Sequence, residues 1–153
     1  MSEKRTVYSA QTVVYRKPAD GGILILGLHK IASSGGFYWQ SPRGGIEEHE
    51  APADAALRET REETGIEKPL AFIDLEHSHR FDCTKTDPGT GTQLVTTVSE
   101  YSFAIETDRK NIALSDEHTE YRWMTPEEAM EVFDFEGNRQ AVRLLLSILS
   151  EVS

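Results

Sequence analysis

A single cysteine, Cys83, stands in 153 residues, so no internal disulfide staples the chain and its stability has to come from a packed core. No stretch approaches the roughly 18 consecutive apolar residues of a membrane-spanning helix, and no membrane partner is expected. The N-terminus, Met1 to Thr6, is charged and lacks the following apolar core and small-residue cleavage site of a signal peptide. With the lone Cys83, this predicts a cytoplasmic protein. Basic residues are also scarce: 16 Lys and Arg face 26 Asp and Glu, a net charge of −10. Such a surface repels polynucleotide and anionic membrane, which excludes long nucleic acid as a general partner. Internal repeats, low-complexity tracts and linker-like shifts of composition are absent as well, so residues 1–153 read as one domain.

What is present is a globular composition, 38 % apolar and 27 % charged, long enough to bury one core. Residues 7 to 16 (VYSAQTVVYR) and 23 to 30 (ILILGLHK) are rich in β-branched and aromatic residues, and Pro18, Asp20, Gly21 and Gly22 between them predict a hairpin. Residues 33 to 45 read as a loop with a short aromatic insert. Pro52 opens a helix running to Thr64 and stopped at Gly65. Residues 70 to 75 and 94 to 106 read as strands around a polar, mobile stretch, Thr84 to Thr92. Tyr121 to Met124 reads as a short strand, Thr125 caps a helix begun by Pro126, and Asn138 caps a last helix carrying Ala141, Leu144, Leu145 and Ile148 on one face. This order fits an α/β fold with a mixed sheet between helices.

Within the helix from Pro52 to Thr64, Glu59, Glu62 and Glu63 stand at i, i+3 and i+4 and, at about 100° per residue, share one face. Ala53, Ala56, Leu57 and Thr60 lie opposite and can dock the helix on a core. Like charges at this spacing destabilise an isolated helix, so something positive should compensate them. Two readings are open. In one, Arg58 and Arg61 supply ordinary surface ion pairs to a solvated acidic face. In the other, the carboxylates hold Mg²⁺ or Mn²⁺, hard ions that keep water and bind substrate phosphates. Bound metal would also reverse the local charge, so a small polyanion is compatible with the net −10.

The surrounding frame favours the second reading. From Gly44 to Ile66, GGIEEHEAPADAALRETREETGI resembles the Nudix box, GX5EX7REUXEEXGU with U an aliphatic residue, over all 23 positions. Gly44, Glu50, Arg58, Glu59, Glu62, Glu63, Gly65 and Ile66 match; Thr60 replaces the expected aliphatic residue, and His49 stands where many members carry Gly. The resemblance implies the Nudix-type α/β/α sandwich with a mixed β-sheet. It also implies that Glu59, Glu62 and Glu63 ligate metal together with the main-chain carbonyl of Arg43. Arg58 would hold Glu59 and Glu50 by charge-assisted hydrogen bonds, and Gly65 would end the helix in a left-handed conformation.

Residues 115 to 123, SDEHTEYRW, resemble the segment in several Nudix branches where a loop glutamate approaches the metals. Glu117 is the candidate, as ligand or base; otherwise it is a loop carboxylate paired with a residue such as Arg122. His118 is expected to orient its neighbours, and His29, His77 and His79 lack metal-ligand spacing and read as structural or surface residues. Arg43 is the candidate phosphate contact, its guanidinium matching phosphate oxygens in pairs. Tyr38 and Trp39, with Phe37 beside them, are candidates to stack on a base, with a core or sheet-edge role as the alternative for each.

The expected chemistry is metal-assisted hydrolysis of a phosphoanhydride, with Glu59 or Glu117 taking the proton from water. Arg58 would organise the catalytic carboxylates. WQS (39 to 41) and GNRQAV (137 to 142) resemble the branch that cleaves dihydroneopterin triphosphate and deoxynucleoside triphosphates. ALRETREETGI and SDEHTEYRW also resemble the asymmetric diadenosine tetraphosphate hydrolases. The expected partner is a small nucleotide-like substrate, with the chain a monomer or a homodimer. Removal of pyrophosphate from RNA ends is disfavoured by the charge of −10. A non-catalytic nucleotide-binding module is the other class, and the intact box carboxylates count against it.

Overall fold

The computed structural model describes residues 2–32 and 35–152. Its elements are β1 (Ser2–Arg16), β2 (Leu24–Ile31), β3 (Phe37–Gln40), β4 (Arg43–Gly45), α1 (Pro52–Thr64), β5 (Ala71–Thr86), β6 (Gln93–Glu106), β7 (Glu120–Met124), α2 (Pro126–Val132) and α3 (Glu136–Val152). Among the described residues, seven strands form one sheet in the order β3-β2-β1-β6-β5, with β4 paired to β1 and β7 to β2. β1 and β6 run parallel from Ser2 opposite Gln93 to Tyr15 opposite Glu106, and the other pairings are antiparallel, so the sheet is mixed.

Strand alternation sends neighbouring residues to opposite faces, which builds two cores. Val13 and Tyr15 of β1 and Ala104 of β6 pack with Ala129 and Phe133 at α2 and with Ala141, Val142 and Leu145 of α3. On the other face Ala10 and Phe103 meet Ala55 and Ala56 of α1, and Val14, Leu26 and Leu28 meet Ile66 just beyond it. The result is the expected α/β/α sandwich.

The predicted hairpin forms but is narrow, pairing only Tyr15 with Ile25 and Arg16 with Leu24. Gly21 and Gly22 make its turn at positive φ. Three other expectations are corrected. The predicted loop at 33 to 45 contains β3 and β4, too short for a periodic signal, while Ser33 and Ser34 lie outside the described residues. The polar segment after Leu75 continues as strand to Thr86, because β6 supplies its backbone partners as far as Gln93. A bulge between Asp74 and His77, with Glu76 at φ 53, resets the register there. Asn138 does not cap α3, which starts at Glu136; its side-chain amide instead donates to Gln11 Oε1 across the α3–β1 interface. Thr125 caps α2 in a full capping box with Glu128, as its position predicts.

Candidate active site

The carboxylates of α1 are positioned by the way that helix is anchored. Pro52 occupies the first turn, and Gly65 ends the helix at φ 79 with its N–H on Arg61 O at 2.8 Å, the left-handed stop that glycine adopts cheaply. Thr60 sits where the family pattern has an aliphatic residue; it is buried and donates its hydroxyl to Ala56 O at 2.7 Å, so the polar atom is satisfied. His49 adopts φ 65 and keeps the left-handed turn that a glycine would make there more cheaply.

Arg58 organises the first part of the site. Its Nε donates to Glu50 Oε2 at 2.8 Å, Nη2 to Glu50 Oε1 at 3.0 Å and to Gly45 O at 2.9 Å, and Nη1 to Glu59 Oε1 at 2.8 Å. This fork raises the guanidinium pKa above its ordinary range, and Arg58 with the Glu47 main chain holds the Glu50 carboxyl down to about 2. Glu59 is pressed against β4: a Cβ on Gly44 would lie 2.0 Å from Glu59 Cδ, so only glycine fits beside that carboxylate. Glu62 is half exposed and touches Arg58 Nη1 at 3.4 Å.

Glu63 is different. It is 2 % exposed, accepts the Arg43 main-chain N–H at 3.1 Å on Oε2, and has no hydrogen-bond partner for Oε1 among the described residues. Burial first, then the neighbouring Glu59 and Glu117, push its pKa up to about 9. Donor atoms of Glu63, Glu117 and His118 lie within 4.8 Å of one another. His118 Nε2 is 3.6 Å from Glu63 Oε1, and burial holds this imidazole below its ordinary range, so it brings no positive charge. Several carboxylates thus converge on a buried oxygen that has no hydrogen-bond partner among the described residues, and this donor set fits a hard divalent cation.

A cavity of about 570 Å³ adjoins this cluster, within the usual range for small-molecule sites. Arg43 joins the two regions, its main chain on Glu63 and its side chain in the cavity wall. That guanidinium is already engaged: Nε donates to Glu100 Oε2 at 2.7 Å and Nη2 to Ser9 Oγ at 3.2 Å. Tyr38 lines the cavity edge-on to Phe135, their centroids 5.1 Å apart. Trp39, the next residue along β3, is not among the lining residues; its ring sits 4.8 Å from that of His29 and packs on the core under α2. Phe37 is largely exposed and stacks on His29. The structure therefore brings Glu59, Glu63, Glu117 and Arg43 together, leaves Glu62 at the rim, and separates Tyr38 from Trp39.

Sequence reasoning missed Glu100, His79 and the part played by His118. Glu100 is a charge in the middle of β6, the strand's other charge, Glu106, standing at its end, and a mid-strand carboxylate is a visible sign of a buried polar group. His79 carries no local sign, since its place over Gly137, where a Cβ would lie 2.1 Å from His79 Nε2, depends on α3 packing against β5.

A NUDIX domain family model matches residues 8–145. This chain belongs to the Nudix hydrolase family. It is 35 % identical over 105 residues to the asymmetrical bis(5'-nucleosyl)-tetraphosphatase of Mus musculus, covering 68 % of this chain and 67 % of that protein. A dihydroneopterin triphosphate diphosphatase of Haemophilus influenzae is 28 % identical, with 71 % of each chain covered. An octanoyltransferase of Myxococcus xanthus is 35 % identical over 120 residues, 78 % of this chain, but the match spans only 31 % of that longer protein. Among solved structures, the Escherichia coli dihydroneopterin triphosphate pyrophosphohydrolase superposes with a TM-score of 0.69 at 25 % identity, covering 88 % of this Nudix chain and 91 % of that one. A Caenorhabditis elegans Ap4A hydrolase complex gives 0.66 at 25 % identity, covering 95 % and 98 %.

Proposed function

We propose that this Nudix protein is a divalent-metal-dependent pyrophosphohydrolase, acting on a deoxynucleoside, nucleoside or dihydroneopterin triphosphate and releasing pyrophosphate and a monophosphate. One observation carries the reading: a carboxylate cluster around the buried Glu63, whose Oε1 has no hydrogen-bond partner among the described residues, opens, through Arg43, onto a cavity large enough for a heterocyclic ring. Glu59, Glu62, Glu63, Glu117 and the Arg43 carbonyl would hold Mg²⁺ or Mn²⁺, which polarises phosphoryl oxygens and lowers the pKa of bound water. Arg58 holds Glu59 in orientation through the hydrogen bond from its Nη1 to Glu59 Oε1. Glu59 or Glu117 accepts the proton of the attacking water, and Arg43 faces the phosphate chain. The lone, exposed Cys83 suits a cytoplasmic site of action.

The second reading, asymmetric hydrolysis of diadenosine tetraphosphate to ATP and AMP, is favoured by the 35 % identity to the mouse tetraphosphatase. Incubating the purified protein and Mg²⁺ with nucleoside triphosphates, dihydroneopterin triphosphate, dinucleoside polyphosphates and nucleotide sugars, then identifying products by chromatography, separates the two. A higher kcat/KM for the triphosphates is the expected result. A clear preference for the dinucleotide replaces the first reading with the second, and turnover only of a nucleotide sugar rejects both.

A further inference from the structure

The cavity beside the carboxylate cluster has a built floor. Glu100, in the middle of β6, is 3 % exposed and lines the cavity. Its Oε2 is saturated by two donors, Ser9 Oγ at 2.7 Å and Arg43 Nε at 2.7 Å, and Arg43 Nη2 also donates to Ser9, so the three side chains hold each other in one arrangement. Among the described residues Glu100 Oε1 accepts no hydrogen bond; His79 Nε2 stands 3.6 Å away, beyond a good one. Burial holds His79 below the ordinary imidazole range, so it does not complete an ion pair. Glu100 Oε1 is not sealed off by protein and faces the cavity, where a ligand can bring it a donor.

The walls are aromatic. Tyr38 and Phe135 meet edge to face, Phe81 stacks on His79 with centroids 5.7 Å apart, and all four rings line the cavity. A planar heterocycle between such walls is held by stacking, and its edge is read from the floor. A carboxylate is an acceptor only, so it selects a ring edge with N–H donors and rejects one with lone pairs.

We propose that Glu100 is the specificity-determining residue of the cavity, its free Oε1 accepting from adjacent ring N–H and exocyclic amino groups of a 2-amino-4-oxo heterocycle, the edge shared by guanine and pterin. Adenine presents an amino group beside a ring acceptor, and hypoxanthine lacks the amino group. The inference rests on the cavity being the ring-binding end of the proposed hydrolase site, with Arg43 joining that end to the metal cluster.

The decisive pair is guanine against hypoxanthine, which differ by the one amino group. Calorimetric titration of the intact protein with dGMP and dIMP tests recognition without any hydrolysis. dGMP should bind about tenfold or more tightly than dIMP, because its 2-amino group adds a hydrogen bond to the Glu100 carboxylate that dIMP cannot make. With the triphosphates the same ratio should appear in KM rather than kcat. Glu100→Gln should bring the two monophosphates to within about threefold of each other, and Glu100→Asp, which keeps the acceptor, should retain the preference. Equal or tighter binding of dIMP by the wild-type protein overturns the proposal, as does no measurable binding of dGMP, or a ratio unchanged in a folded Glu100→Gln protein. If dGMP is preferred but no triphosphate is hydrolysed, recognition by Glu100 stands and the pyrophosphohydrolase reading falls.

Discussion

Glu63 and Glu100 are buried to nearly the same depth, 2 % and 3 % exposed, but the chain provides for them in opposite ways. Glu100 has a guanidinium and a hydroxyl on one oxygen. Glu63 has one main-chain N–H, and its charged neighbours are the acids Glu59 and Glu117. Desolvation penalises both, so a carboxylate left without a cation in the fold is where an external cation does the most good. The fold therefore marks two kinds of polar site: one completed internally and ready to read a ligand, and one completed only by metal.

The sharpest way to break this contrast is Glu63→Gln. Removing a charge used only to hold metal should lower hydrolysis by about two orders of magnitude or more while the protein stays folded. Undiminished turnover, or wild-type activity in excess chelator, refutes a metal-dependent site. The same variant should change how the metal-free protein responds to pH. Because folding raises the Glu63 pKa from 4.5 to about 9, its stabilising contribution is fully present below pH 4.5 and is lost as pH rises through about 9. The wild-type Tm without metal should thus fall over that window, the decline should shrink in Glu63→Gln, and saturating Mg²⁺ should offset it. A flat wild-type profile, recorded by scanning fluorimetry, contradicts the assignment.

Arg58→Ala makes a compensated cluster resemble the uncompensated one. Glu50 and Glu59 lose their shared partner, and the urea midpoint of unfolding should fall clearly, as for a broken network of part-buried charge-assisted hydrogen bonds. An unchanged midpoint would place Arg58 among ordinary surface ion pairs. Glu117→Gln should lower kcat about tenfold with little change in KM, if this exposed carboxylate serves the reaction and not the fold. Wild-type kcat across the pH range would leave Glu59 as the base. The smallest effect belongs to His49→Gly, which relieves a left-handed residue and should raise stability by about 1 kcal/mol. A fall in Tm would show that the imidazole has a contact worth more than the backbone cost.

What the sequence disclosed follows from how local each signal is. The carboxylate helix is contiguous, so its start at Pro52 and its stop at Gly65 were readable from local residues, and the fork from Arg58 to Glu50 and Glu59 followed from the resemblance to the Nudix box. The sandwich followed from the order of strands and helices. The short strands β3 and β4 were not readable, because three or four residues carry no period and are held by their partners. β5 was cut short for the opposite reason: its distal half is exposed on both faces and lacks apolar alternation. Glu100 acquires its meaning from Ser9, 91 positions earlier, and Asn138 from Gln11, 127 positions earlier, distances over which a motif says nothing. The separation of Tyr38 from Trp39 needed only strand alternation, once the aromatic insert is known to be a strand.

The parallel pairing of β1 with β6 has a consequence for how the molecule assembles. Its two edges meet only after a loop of roughly ninety residues has closed, and such long-range pairing slows folding relative to local helix or hairpin formation. The carboxylate helix can form early from its own neighbours. The Ser9–Glu100–Arg43 floor cannot exist until that late closure. The metal cluster also draws on Arg43 of β4, paired to β1, and on Glu117, so the capacity to bind metal and the capacity to discriminate a ring should both appear only once the sheet has closed.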